Sequence, residues 1–266
     1  MKISVCGKGG SGKSVVTALL ANGMRGKGYQ VLVVDADESN TGLYRMLGFG
    51  SSPVPILELV GGRKEVRNVF PKDPSPQSGY ETNIMGRHEI RLEDVPPQYI
   101  FKRDGVSLVS VGKILQALEG CACPMGVLSR EFLKKLHLEA NTMAIVDMEA
   151  GVEHFGRGVE TSIDGVLIVV DPSYESLELA EKVRSMVAGI GISNTWVVLN
   201  KITSDEIASR LKEELGKRDL DTIGCIQFDP DVFEACLEGK PLQSKKTAHE
   251  IERILDTLLS ELGRRP

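Results

Sequence analysis

No stretch of this 266-residue chain approaches the run of ~18 apolar residues that a membrane-crossing helix requires. Its first residues, Lys2 to Cys6, read as a strand and not as a leader peptide. The expectation is therefore a cytoplasmic protein with no membrane partner. Excess positive charge is also missing. The chain carries 32 Lys and Arg against 37 Asp and Glu, a net charge of −5 and a pI near 5.6. Basic pairs such as Lys134-Lys135, Lys245-Lys246 and Arg264-Arg265 stand alone and read as solvated surface, so no nucleic acid partner is expected. Cysteine is scarce: five residues, an odd number, argue against a disulfide framework and leave core filling or metal ligation as the uses of the thiols. No internal repeat is present. What remains, 41% hydrophobic and 26% charged residues, is the composition of an ordinary globule with a sizeable core.

The informative stretch is Gly7-Lys8-Gly9-Gly10-Ser11-Gly12-Lys13-Ser14. It fits the phosphate-cradling pattern G-x-x-x-x-G-K-[ST], follows an apolar run and precedes a segment with helical periodicity. The glycines let the backbone take positive φ and turn successive N–H groups inward on a phosphate. The helix that starts near Lys13 adds the positive end of its dipole. Gly9, Gly10, Ser11 and Gly12 are thus expected to bind a nucleotide's phosphates. Lys13 is expected to reach the β- and γ-phosphates, and the Ser14 hydroxyl to ligate Mg²⁺. Lys8 occupies a position the pattern leaves free.

Taken in order, the chain alternates strands and helices. After the strand at Lys2 to Cys6 and a helix ended by Gly28, Gln30 to Asp35 is a strand that is apolar throughout, as expected where both sheet faces are covered. Prolines at 53, 55, 71, 74, 76, 96 and 97 break periodicity through residues 50–105, apart from a helix near Ile56 to Val69. Strands are expected at Val106 to Val111, Met143 to Asp147, Gly165 to Val170, Thr195 to Leu199 and Thr222 to Phe228. Helices are expected around Val127 to Leu138, Tyr174 to Ala188 and Ser204 to Gly216. Two helices close the chain, and the last carries an apolar face (Ile251, Ile254, Leu255, Leu258, Leu259, Leu262) suited to packing on the sheet. The pattern predicts an α/β fold: one doubly wound, mostly parallel sheet with helices on both faces, a single domain over residues 1–266 with a Pro-rich insertion at about 50–105.

Ligand chemistry in open α/β sheets collects at the carboxyl ends of strands. Asp35 and Asp147 both end strongly apolar strands, where a charge is costly unless it faces an ion, so they join Ser14 as candidate Mg²⁺ ligands. Asp37, two residues further on, is the candidate to orient or deprotonate the attacking water. Asn200-Lys201 after a strand is a candidate base contact; a guanine-reading N-K-x-D would need an aspartate where Thr203 stands, so adenine is preferred.

The paired lysines Lys8 and Lys13, with Asp35-x-Asp37 and Asp147-x-x-Ala150-Gly151, resemble the deviant P-loop and two switch regions of the MinD, ParA and nitrogenase iron-protein group of dimeric ATPases. That resemblance implies an ATPase (ATP and water to ADP and phosphate). It also implies that Lys8 reaches across a homodimer interface to the partner's nucleotide, a catalytic role alongside Lys13 and Asp37. Cys121-Ala122-Cys123 taken with Asp147-Met148-Glu149-Ala150-Gly151-Val152-Glu153-His154 further resembles the CooC-type ATPases implicated in nickel insertion into carbon monoxide dehydrogenase. In them a Cys-x-Cys pair from each subunit binds one Zn²⁺ or Ni²⁺ at the interface.

The cysteine spacing agrees with that implication. Residues i and i+2 of extended backbone point the same way, and two thiolates leave half of a tetrahedral shell for a symmetry mate to fill. Sulfur ligands suit Zn²⁺ or Ni²⁺ equally. Cys6 and Cys225 fall within strands and read as core, Cys236 lies on a short helix, and His88 and His154 read as surface or switch residues. The expected function is an ATP- and Mg²⁺-dependent metallochaperone that binds Zn²⁺ or Ni²⁺ at Cys121 and Cys123 and serves a client nickel enzyme such as carbon monoxide dehydrogenase. Two rivals stay open on the same fold: an iron–sulfur cluster carrier or redox ATPase, and a positioning ATPase of the MinD/ParA type.

Overall fold

The computed structural model describes residues 1–69, 86–113, 123–152 and 162–263. In chain order its strands are β1 (Lys2–Gly7), β2 (Gln30–Asp35), β3 (Ile100–Arg103), β4 (Val106–Ser110), β5 (Thr142–Asp147), β6 (Gly165–Val170), β7 (Thr195–Ile202) and β8 (Thr222–Gln227). They form one eight-stranded sheet in the order β3-β4-β2-β5-β1-β6-β7-β8. Every neighbouring pair is parallel except β3 with β4 at the edge. The apolar runs produce this directly, because successive residues of a strand face opposite ways and both faces are covered. Leu32, Val34, Val146 and Ile168 enter one core, while Val31, Val33, Ile145 and Leu167 enter the other.

The helices are α1 (Lys13–Gly26), α2 (Leu43–Met46), α3 (Ile56–Leu59), α4 (Gly62–Val69), α5 (Cys123–Lys135), α6 (Tyr174–Gly189), α7 (Asp205–Gly216), α8 (Pro230–Glu238) and α9 (Lys245–Gly263). On the first face lie α3, α4, α5, α6 and α7, burying Leu57, Val66, Phe132, Val183 and Leu211. On the other lie α1 and α9, burying Leu20, Met24, Ile254 and Leu258. The amphipathic last helix therefore packs on the sheet as its pattern predicts. It comes very close, because a Cβ at Gly224 would stand 2.2 Å from Ile254 Cγ1 and one at Gly23 2.7 Å from Leu255 Cδ1.

Several local expectations change. The helix expected over Ile56 to Val69 is two short ones, because Gly61 and Gly62 both take positive φ (86° and 84°) and break the turn between them. The helix expected from Val127 begins at Cys123, with Pro124 in its first turn, where a missing N–H costs nothing. It ends at Lys135, and Leu136 bridges to Ile90 instead. The end of the Pro-rich stretch joins the sheet. Asp104 (φ 49°) and Gly105 (φ 82°) form a two-residue turn between β3 and β4, and β3 pairs from Ile100 with Val109 to Arg103 with Val106.

The winding places the site. From β1 the chain moves to β2 on one side, and from β5 it crosses β1 to β6 on the other. The carboxyl end of β1 is thus the point where the strand order reverses, and Gly7 to Ser14 leave the sheet there.

Candidate active site

The loop after β1 has the backbone that phosphate binding needs. Gly7 (φ 147°) runs so close to β6 that a Cβ would stand 2.5 Å from the Val169 carbonyl oxygen. Gly10 and Gly12 take φ of 81° and 95°, and Gly12 caps α1 without any side-chain acceptor, so the first-turn N–H groups of α1 are left to a ligand. Ser11 N donates to Lys8 O at 3.1 Å, and buried Lys13 approaches the same carbonyl at 3.4 Å.

Asn200 and Lys201 meet the loop from the other side. Asn200 Nδ2 donates to Ser11 O at 2.8 Å, and Lys201 Nζ donates to Gly10 O at 2.6 Å. The strand bends to allow this: Lys201 has φ 60°, and the β7–β8 register shifts between Leu199 and Ile202. A Cβ at Gly12 would be 2.3 Å from Asn200 Nδ2, so this glycine is needed for contact as well as for φ. Sequence reasoning offered the pair as base contacts; the structure gives both side chains a bond to the phosphate loop's own carbonyls.

Asp35 and Asp147 come together because β2 and β5 are adjacent, parallel and in register, with the two aspartates paired. Asp147 is fully buried; its Oδ2 accepts from Ser14 Oγ at 2.6 Å and its Oδ1 from Thr17 Oγ1 at 3.4 Å. Asp35 pairs with Lys113 (Nζ to Oδ1 2.7 Å), whose Nζ also donates to the Asp37 carbonyl. Burial raises the Asp147 carboxyl to about 7, with the neighbouring charge of Asp35 adding to it. Burial likewise raises Asp35 to about 6, against the pull of Lys113. Two carboxylates and a hydroxyl are hard oxygen donors, and the negative charge they bury is what a Mg²⁺ ion would offset, so the set fits that ion. Among the described residues no group of three or more His, Cys, Asp or Glu side chains is arranged so that it could hold a metal ion by itself. Sequence reasoning missed Thr17 and Lys113, although Thr17 lies one turn after Ser14 and Lys113 lies just past a strand's carboxyl end.

Asp37 is turned onto its own loop. Its Oδ1 accepts from Ser39 N (2.9 Å), Ser39 Oγ (2.7 Å) and Asn40 N (3.2 Å). Lys8 leans to the other side of the loop, with Nζ 2.9 Å from Ser173 Oγ and 3.6 Å from Asp171 Oδ2. Burial pushes the Asp171 carboxyl up, but hydrogen bonds from Ser176 and Ser173 and the Lys8 ammonium outweigh it and hold that carboxyl below the usual range. Lys8, Gly9, Ala150, Gly151, Glu175 and Lys182 line an open cleft of about 390 Å³ beside the loop.

Cys123 opens α5; Cys121 and His154 lie outside the described residues. Cys6 is buried, and burial raises the thiols of half-buried Cys225 and Cys236 above their ordinary value. His88 is exposed.

Residues 3–242 match the CobQ/CobB/MinD/ParA nucleotide binding domain. An ATP-binding protein of Methanocaldococcus jannaschii is 39% identical over 97% of this chain and 99% of its own length. The carbon monoxide dehydrogenase accessory protein CooC of Rhodospirillum rubrum is 30% identical over 90% of this chain and 88% of its own. Among solved structures, MinD of Pyrococcus horikoshii complexed with Mg-ADP superposes with a TM-score of 0.69 at 17% identity, covering 100% of this chain and 99% of that one, a likeness of fold. With a phosphate loop at the reversal of the sheet, two carboxylates abreast beside it and homology along nearly its whole length, the chain belongs to the CobQ/CobB/MinD/ParA family of P-loop ATPases and is a homologue of CooC.

Proposed function

We propose that this protein is a homodimeric, Mg²⁺-dependent ATPase of the CooC type. It couples its nucleotide state to the binding of Ni²⁺ or Zn²⁺ at Cys121 and Cys123 and assists nickel insertion into an enzyme such as carbon monoxide dehydrogenase, in the cytoplasm. The observation that carries the reading is the likeness to the CooC protein over 90% of this chain, joined to a Cys-x-Cys pair whose second member opens α5.

In this reading the amides of Gly9 to Gly12 and the start of α1 bind the phosphates, and Lys13 leaves the Lys8 carbonyl for the β- and γ-phosphates. Ser14, Asp35 and Asp147 would hold Mg²⁺, which supplies charge neutralisation on the phosphates. Asp37 must leave its Ser39 and Asn40 contacts to accept a proton from the attacking water. Lys8 exchanges Ser173 and Asp171 for the partner's nucleotide. Asn200 and Lys201 serve nucleotide binding by bracing the loop. When ATP draws two subunits together, four thiolates can surround one cargo ion.

The direct test is metal analysis of wild-type protein and of the Cys121→Ser, Cys123→Ser double variant, each with and without ATP. Metal that depends on ATP in the wild type and vanishes in the variant supports the reading; a fully loaded variant refutes the thiolate site. A second reading, a carrier of iron–sulfur clusters, draws on an iron–sulfur cluster carrier protein of Saccharolobus solfataricus, 23% identical over 96% of this chain and 81% of its own length. Visible absorption and iron in anaerobically purified protein would favour it.

A further inference from the structure

Lys113 is used by no step above, yet its surroundings are unusual for a lysine. Its side chain is 9% exposed, its ammonium is 2.7 Å from Asp35 Oδ1, and it also donates to the Asp37 carbonyl. A lysine this buried is held by its partners or not at all. Its own carbonyl accepts from Arg63 Nη2 of α4 at 3.0 Å. The two residues before it lead elsewhere in the fold. Val111 N donates to Asp35 O at 2.9 Å, and Val111 O accepts from Leu57 N of α3 at 3.1 Å. Gly112 abuts α5 with no room to spare: a Cβ there would be 2.5 Å from Met125 Sδ and 2.9 Å from Met125 Cγ. Met125 is in the first turn of α5, two residues after Cys123. Three consecutive residues thus touch the Asp35 carboxylate, the Asp37 backbone and the helix start that carries a candidate cargo ligand.

An ammonium and a divalent cation cannot both sit against the same carboxylate without repelling each other, and the repulsion is strong where water is excluded. We propose that Lys113 is a positioning residue, a tether that holds Asp35 and the Asp37 loop while no divalent cation is bound. It gives up Asp35 when one binds, so that Gly112 and the first turn of α5 shift with it. This rests on the reading of Asp35 and Asp147 as cation-holding carboxylates, and adds the route by which that event reaches α5. Close packing makes the route effective, since Met125 cannot stay in place if Gly112 moves toward it.

The test uses the intact wild-type protein with ADP, in EDTA or in Mg²⁺. Brief acetylation is read at each lysine by mass spectrometry, and calorimetry records Mg²⁺ binding in parallel. Added Mg²⁺ should raise labelling of Lys113 roughly tenfold, because the ion pair that shields it is broken. Unchanged labelling while calorimetry detects Mg²⁺ overturns the tether and leaves the ATPase reading standing. No Mg²⁺ bound at all overturns both. A second arm compares Lys113→Met with Lys113→Arg. Removing the competing charge should lower the half-saturating Mg²⁺ concentration about tenfold, and arginine should restore the wild-type value. A Lys113→Met protein that needs more Mg²⁺ would make the lysine a support of the site and contradict the proposal; should that variant not fold, the wild-type labelling decides.

Discussion

Burying two carboxylates side by side has a cost that pH reveals. Asp35 and Asp147 have folded-state values near 6 and 7, above the ordinary carboxylate value of ~4, so the fold favours their protonated forms. As far as these two groups are concerned, stability of the nucleotide-free protein is therefore expected to be full below about pH 4 and to fall as pH rises to about 7. Mg²⁺ binding to the nucleotide complex takes up the ionised forms, so its affinity should rise between about pH 6 and 8, which calorimetry at several pH values checks. An affinity flat across that range would remove these aspartates from the cation site. Asp147→Asn carries the same logic in a variant: the amide still accepts from Ser14, the buried charge is gone, thermal stability increases, and the Mg²⁺ dependence of nucleotide binding is lost.

Asn200 makes the other residue-scale case. If its amide braces the phosphate loop, Asn200→Ala leaves Ser11 O without that donor inside the protein. Urea unfolding should then show a loss of ~1–3 kcal/mol even with no nucleotide present. A residue that only touched the base would leave the stability of the empty protein unchanged. The gathering of Lys13, Ser14, Asp35 and Asp147 at one end of the sheet was legible from the motif and from strand ends, because a charge that closes an apolar strand is costly unless something faces it. Thr17, Lys113 and the bracing role of Asn200 were not, because each depends on which strands lie side by side, and adjacency is a property of winding order.

At the level of elements, the central strands were legible because both of their faces are covered and their apolar runs are continuous. The edge strand β3 was passed over, since Ile100 to Arg103 is short, half-polar and preceded by prolines; the Asp104-Gly105 pair was the signal that would have found it. Likewise, the doubled Gly61-Gly62 marked the break between α3 and α4. The docking of α9 depends on absent side chains as well as on its own apolar face. Gly224→Val would drive a methyl into Ile254, lift the helix from β8 and cost roughly 1–3 kcal/mol, measurable by denaturant titration. An unchanged midpoint would mean that α9 sits further from the sheet than these contacts state.

At the scale of the whole molecule, the roles proposed for Lys8 and for the Cys-x-Cys pair both need a second copy of the chain. Lys8 is held by Ser173 and Asp171 of its own chain, and in the proposed reading the Cys-x-Cys pair would supply half of a metal's ligands. Both become intelligible if two copies close on nucleotide. Lys8→Ala should then bind ATP as a monomer and fail to dimerise, as size-exclusion chromatography with ATP would record. The most direct measurement is the mass and metal content, in one sedimentation experiment, of wild-type protein given Ni²⁺ or Zn²⁺ and a non-hydrolysable ATP analogue. A dimer with one ion per pair of chains is expected, both features lost without nucleotide. A protein that stays monomeric with the analogue bound, or a dimer whose metal survives replacement of Cys121 and Cys123 by serine, would contradict it.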